Sequence, residues 1–224
     1  ESVTGTGTVV FGDGTTARTI TASNSIANKM TVKENTTLKI DADNVGGVVT
    51  NEGTVALAGG VLAKKIAGSV IQLDGDVSTV ADNLENNSLV DLNSKTLTIT
   101  NGDVAVDIGS VGAASGTAKF TGVSKINDGK NVYTAIDNDG TLIVNAAQTH
   151  STTDNSGTLK LGAGNLSGAI SDTGSNGTLQ ITGTVDAGTN AITQKVLNID
   201  NTGSLTVDLS KLNITGEEIS DNGK

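Results

Sequence analysis

The residues of this chain best suited to chemistry are acidic side chains in close pairs. Asp137 and Asp139, followed by Gly140, set two carboxylates two positions apart beside a turn residue, a pattern that can offer oxygen ligands to calcium. Asp74-Gly75-Asp76, Asp13-Gly14 and the pair Asp41 and Asp43 are similar fragments. None has the ligand count or closing Glu of an EF-hand loop, and no Gly-Gly-x-Gly-x-Asp nonapeptide repeats. Asp137 and Asp139 are therefore calcium candidates on two ligands only, and the other acids read as turn residues. Paired carboxylates can also cleave glycosidic bonds, with Asp41, Asp43, Asp137 and Asp139 available for that role. Sugar grooves usually add aromatic platforms, whereas Phe11, Phe120 and Tyr133 are the only aromatics and Arg18 the only arginine. His150 is the only histidine and sits in a Gln-Thr-His-Ser-Thr-Thr run that reads as an exposed loop, so a Ser-His-Asp relay has no second place to form. No catalytic residue is assigned, and the chain reads as a non-enzyme with no cofactor other than the calcium considered above.

Other polar groups have plainer readings. Thr6/Thr8, Thr19/Thr21 and Thr96/Thr98/Thr100 resemble the Thr-x-Thr pairs of ice-binding solenoids, but they are scattered, and β-branched Thr is common on exposed strands. Lys64-Lys65 and Glu217-Glu218 read as solvated surface. Asn35, Asn86, Asn165 and Asn213 begin Asn-x-Ser/Thr triplets, which matter only in a glycosylating host.

The elements that must position these groups are announced by a recurring phrase: a polar residue, Gly or another polar residue, Thr or Ser, then apolar, any, apolar. It reads Asn51-Glu52-Gly53-Thr54-Val55-Ala56-Leu57, Asp139-Gly140-Thr141-Leu142-Ile143-Val144, Ser156-Gly157-Thr158-Leu159-Lys160-Leu161, Asn176-Gly177-Thr178-Leu179-Gln180-Ile181 and Thr202-Gly203-Ser204-Leu205-Thr206-Val207. Looser copies begin at Asn35, Ser94 and Ser115. The first apolar residues fall at 38, 55, 97, 118, 142, 159, 179 and 205, with gaps of 17, 42, 21, 24, 17, 20 and 26. If the longest gap hides one degenerate copy, at Ser69-Val70-Ile71-Gln72-Leu73, the step is about 21 residues, the span of one coil in a parallel β-helix. Alternation of apolar and polar residues within each copy is the two-residue period of a half-buried strand. The Gly before Thr is expected at a corner needing positive φ. A strand this short cannot hide its apolar face alone, so coils must stack at about 4.8 Å. Val48-Val49, Val104 to Ile108, Ala169-Ile170 and Val196 to Ile199 are candidates for further strands of each coil, and Val61 to Ile66 is the one stretch with possible helical character.

These features define the fold expectation: all-β, a right-handed parallel β-helix of about ten coils near 21 residues each. Residues 1–34 would form an irregular N-terminal cap or coil, 35–207 the repeat coils and 208–224 a C-terminal cap or tail of one elongated domain. Composition agrees, because 29 Gly with no Pro, Cys or Trp leaves small aliphatic residues to fill a narrow core. An antiparallel sandwich is the structural alternative, but it gives no reason for one phrase to recur at a coil's length. Twenty-four Asp plus Glu against 14 Lys plus Arg, net charge −10, argue against nucleic acid and against an anionic membrane surface. The apolar runs are too short to span a membrane, and Glu1 opens no charged-then-apolar leader, so a mature or excised segment is expected.

On the Asn/Ser/Asp-Gly-Thr-Leu-x-aliphatic phrases and the Thr-, Asn- and Gly-rich, Cys-free character of residues 35 to 207, the chain resembles the passenger regions of bacterial autotransporters and related type V secreted surface proteins. The resemblance implies a β-helical stalk on the bacterial surface, often an adhesin or coat, carried by a C-terminal barrel. Ile214 to Lys224 lacks the alternating aromatic-rich strands of such a barrel. Surface-layer proteins are the second resemblance. The functional expectation is a non-catalytic adhesin or passenger stalk, extracellular or at the bacterial cell surface. Its partners would be host or matrix macromolecules, or copies of itself, with no nucleic acid and no membrane insertion by this segment. A self-assembling surface-layer or fibre subunit is the alternative, and a polysaccharide-acting β-helix the lower one. Irregular gaps near 55–97 and 179–205 are where inserted binding loops would lie.

Overall fold

A computed structural model describes residues 6–109, 115–145, 152–216 and 219–221. Along them the chain winds as an all-β parallel solenoid of about 11 turns with a repeat spacing of ~18 residues. At about 4.8 Å per rung this makes a rod on the order of 50 Å long. The step between paired strands ranges from 16 residues, where Thr54 faces Val70, to 22, where Gly102 faces Ser124. Turns are thus slightly shorter and more numerous than the phrase spacing gives.

Four stacks of parallel strands form the walls. The N-terminal sheet has seven strands, from Thr8–Phe11 to Asn87–Asp91. Its two long strands, Val49–Leu57 and Ile66–Leu73, run round a corner: Val49 to Asn51 continues the row of Met30 to Val32, and Thr54 to Leu57 the row of Thr37 to Ile40. A nine-stranded stack runs from Gly60–Leu62 to Leu212–Ile214, a seven-stranded one from Gly102–Val104 to Ile219–Asp221, and three strands from Gly164–Asn165 to Ser204–Thr206 close the C-terminal half.

Alternation within each strand sends one set of residues inward. Ile20, Leu38, Val55, Ile71 and Val90 form one inward column, and Leu142, Leu159, Leu179 and Leu197 another. These columns belong to a single continuous aliphatic core, with Phe120 its one fully buried aromatic ring. A core one residue deep per strand explains how the chain folds with three aromatics: each wall contributes a Val, Ile or Leu about every second position, and the rungs above and below complete its contacts.

The phrase marks strands but not a single wall. Leu38 and Val55 lie in the N-terminal sheet, Leu97 and Ala118 in the nine-stranded stack, Leu142, Leu159 and Leu179 in the seven-stranded stack, and Leu205 in the three-stranded one. The gaps of 24 and 26 are steps of a turn plus a move to the next wall. Ser69 to Leu73 is the degenerate copy, with Ile71 over Val55 and Leu73 over Leu57, and its offset is absorbed where the register shifts between Asn51 and Thr54. Strands, not inserted loops, fill the two irregular gaps: Gly60–Leu62, Ile66–Leu73, Val77–Thr79 and Asn87–Asp91 in the first, Thr184–Asp186, Ile192–Gln194 and Val196–Ile199 in the second. Val61 to Ile66 is not helical either; it runs from the end of the strand Gly60–Leu62 to the start of Ile66–Leu73. Helical geometry among the described residues is confined to short 3₁₀ turns at Ala42–Asn44, Ala81–Leu84 and Leu209–Lys211.

The phrase glycines do different work from that expected. Only Gly116 among them has positive φ. At Gly140, Gly157 and Gly177 a Cβ would sit 2.1, 2.0 and 2.0 Å from the carbonyl oxygens of Gly122, Gly140 and Asn155 respectively. Each corner presses on the corner of the preceding turn, and a methyl group there would push adjacent coils apart.

Candidate functional site

Asp137 lies in the strand Ala135–Asn138, whose alternation buries Ile136 and Asn138 and turns Asp137 outward. Its outward column runs Thr98, Lys119, Asp137, Asp154, Ser171. Asp139 stands at the following corner, where its N–H donates to the Phe120 carbonyl. The structure brings both calcium candidates to one cation it already owns: Lys119 Nζ donates to Asp137 Oδ2 at 2.7 Å and lies 2.5 Å from Asp139 Oδ2. Those hydrogen bonds, first the one to Asp137 and then the one to Asp139, raise the Lys119 pKa against the opposing effect of burial. The ammonium supplies the positive charge two carboxylates need, so calcium would have to displace it. Asp154, opposite Asp137, would repel it as a like charge on the next rung. It turns instead to Thr173, accepting from that residue's N–H at 3.0 Å and from its hydroxyl.

The other acids serve the turns and the joins between coils. Asp13 accepts from the Thr15 and Thr16 N–H groups and pairs with Arg18; the two backbone bonds, with a third from the Thr15 hydroxyl, hold its pKa far below the usual carboxylate range. Asp41 lies 3.4 Å from Asn44 Nδ2, and Asp74 is met by Lys39 and Gln72. Several side chains catch the N–H of the next turn: Asp43 that of Val61 at 3.0 Å, Asp76 that of Thr96 at 2.8 Å, Asn101 that of Val123 at 3.0 Å and Asp107 that of Asn131 at 2.8 Å. Asp41 and Asp43 therefore sit on early turns, apart from Asp137 and Asp139, and the four do not converge on one groove. Among the described residues no three or more acidic or histidine side chains gather as metal ligands. His150 and the pair Glu217-Glu218 lie outside the described residues.

Two arrangements escaped the sequence reading. The first is a buried amide chain. Asn138 Nδ2 donates to Asn155 Oδ1 at 2.6 Å and to the Thr158 carbonyl at 3.1 Å; Asn155 Nδ2 donates to Gln194 Oε1 at 2.5 Å and to the Thr178 carbonyl at 3.1 Å. Gln194 Nε2 donates to the Ser171 carbonyl at 2.9 Å. All three side chains are fully buried. Asn51 and Asn87 play a similar part near the N-terminal end, donating to the carbonyls of Val70 and Ile66. Their signal in sequence is parity alone: Asn138 stands two residues after inward Ile136. The second is a set of Thr columns in register, Thr19, Thr37 and Thr54 on one wall and Thr141, Thr158 and Thr178 on another. Of the scattered Thr-x-Thr pairs, Thr19 joins one of these columns, whereas Thr8, Thr21 and Thr98 face Lys29, Lys39 and Lys119.

Comparison with protein-family models, with curated proteins and with solved structures finds no match to this chain. What the arrangement can do must be argued from its own geometry. It presents long outward faces on which Thr, Lys, Asp and Asn stand at rung spacing, and many of its acidic groups hold turns and neighbouring coils.

Proposed function

We propose that this chain is a non-catalytic β-solenoid of the bacterial cell surface, acting as an adhesin or a structural passenger stalk. The observation that supports this most is the stacked-coil geometry itself. A stack grows by adding turns without enlarging its core, so it extends away from a surface while every rung repeats the same outward positions. The outward residues are small, polar and mixed in sign, suited to many weak contacts along a face rather than to one deep pocket. The autotransporter-like phrases in residues 35 to 207 point the same way. The acids most suited to glycoside cleavage are spread over different turns, and Asp137 and Asp139 are held by Lys119.

The test has two arms. Protease shaving of intact cells of the source should release peptides of this chain, and beads coated with the purified chain should attach to matrix proteins or host cells above a scrambled-surface control. Glycan turnover that disappears in Asp137→Asn or Asp139→Asn would overturn the reading, as would protection from the protease on intact cells.

A further inference from the structure

We propose that Asn176-Gly177 is a site of self-modification, where the Asp172 carboxylate promotes closure of a succinimide ring on the Asn176 side chain and its conversion to aspartate or isoaspartate. Asn-Gly pairs begin at 101, 176 and 222, and the last lies outside the described residues. At Asn176 the loop between the strands Ala169–Ser171 and Thr178–Ile181 folds round one acid. Asp172 Oδ2 accepts the Gly177 N–H at 2.7 Å and Oδ1 the Asn176 N–H at 3.2 Å, with Ser175 making the bend at φ 56°. A general base must lie within hydrogen-bond reach of the proton it removes, and this carboxylate already holds that proton.

The two reacting groups are held differently. Gly177 is buried, its carbonyl accepts from the N–H groups of Lys195 and Val196 at 3.1 Å, and a Cβ there would lie 2.0 Å from the Asn155 carbonyl oxygen and 2.6 Å from Gln194 Oε1. Close packing between coils thus keeps a glycine at the position that leaves Asn176 open to attack. Asn176 is exposed, and its Nδ2 donates within the loop, to the Gly174 carbonyl at 2.9 Å. The nucleophilic nitrogen is fixed while the carboxamide can turn toward it. In the reaction Asp172 takes the Gly177 N–H proton, the nitrogen's electron pair forms a bond to Asn176 Cγ, the Cγ–Nδ2 bond breaks, and Nδ2 leaves as ammonia with that proton. Water then opens the ring at one carbonyl to give aspartate, or at the other to give isoaspartate, in which the main chain runs through the side chain. Asn101-Gly102 lacks this arrangement. Asn101 Oδ1 accepts from Val123 N–H on the next coil, its carbonyl accepts from Ala81 N–H, and among the described residues no side chain accepts from Gly102 N–H. The inference stands apart from the adhesin or stalk role and can fail without it.

The full chain, incubated at neutral pH and mapped by peptide mass spectrometry, should show amide-to-acid exchange at Asn176 about tenfold faster than at Asn101. That falls short of the roughly 10²–10⁴ of a preorganised base, because ring closure must first turn the Asn176 side chain off the Gly174 carbonyl. Isoaspartate among the products marks the ring, since direct hydrolysis of the amide gives aspartate alone. Asp172→Asn, which keeps an acceptor for the loop but no base, should remove the advantage of Asn176. The parent chain unfolded in urea gives a comparison that does not depend on how that variant folds: there the two Asn-Gly pairs should react at one rate, slower than Asn176 in the folded chain. A folded-chain rate at Asn176 no faster than at Asn101 or than in urea, aspartate without isoaspartate, or an undiminished rate in Asp172→Asn would overturn the proposal.

Discussion

Truncating the middle member of the buried amide chain should destabilise the solenoid out of proportion to the atoms removed. Asn155→Ala deletes three side-chain hydrogen bonds: the one it accepts from Asn138 and the two it donates, to Gln194 Oε1 and the Thr178 carbonyl. Asn138 Nδ2 keeps the Thr158 carbonyl as acceptor, but Gln194 Oε1 loses its amide donor inside a fully buried site. A stranded buried acceptor costs about 1–3 kcal/mol and each net bond lost about 1 kcal/mol, so a loss of about 3 kcal/mol is expected. For a chain of this length that is a fall of about 6–12 °C in melting temperature. The control is a replacement of all three amides together, Asn138→Leu, Asn155→Leu and Gln194→Met. This leaves no side-chain amide stranded, at the cost of the donors to the Thr158, Thr178 and Ser171 carbonyls, and should be milder than the single change. Urea unfolding followed by circular dichroism measures both, and amide exchange at Thr178 and Gln194 localises the effect. If Asn155→Ala stays within about 1 kcal/mol of the parent, or the triple replacement is the worse of the two, the amides are not acting as a coupled chain.

The charged triad and the corners give three more expectations. Lys119→Met should lower stability at neutral pH by about 1 kcal/mol or less, since the triad is partly exposed. Because the folded pKa of Lys119 is raised, its contribution is complete below the ordinary lysine value and lost as pH climbs through the raised one; urea midpoints of parent and variant should therefore converge in strong alkali, and parallel curves would refute the triad. Asp13 shows the opposite sign: its depressed pKa makes its stabilisation present above the ordinary aspartate value and lost as pH falls toward the depressed one, so carboxyl ¹³C shifts should show it ionised after most other acids have protonated. Gly183→Ala would bring a Cβ to 1.6 Å from the Gly162 carbonyl oxygen and should cost about 3 kcal/mol or prevent folding, whereas Gly129→Ala, in open space at positive φ, should cost about 1–2 kcal/mol; equal urea midpoints would show that contact between coils is not what selects Gly183.

Why some of this was legible and some was not follows from what each position must satisfy. Leu38, Leu97, Leu142, Leu159 and Leu179 declare themselves because an inward strand position tolerates little but an aliphatic side chain, and the outward Lys160 and Gln180 confirm the period. The wall each strand joins is not written in the same way. The walls share one requirement, so Leu179 and Leu205 look alike while lying in different stacks, and an average over such copies overstates the length of a turn. Gly140 and Gly157 were visible as glycines, but whether a corner needs positive φ or a bare carbonyl contact depends on a neighbour a full turn earlier, which local pattern does not reveal. Asn138 and Asn155 were hidden for the opposite reason. Polarity marks them for solvent, and burial is sustained because Asn155 Oδ1 accepts from Asn138 Nδ2 on the neighbouring rung, although Asn138 Oδ1 is left without a partner among the described residues. Register acts in the same way at Asp137 and Asp139: two carboxylates close in sequence call for a cation, and the strand pairing sets the Lys119 ammonium, contributed from one turn earlier, against both.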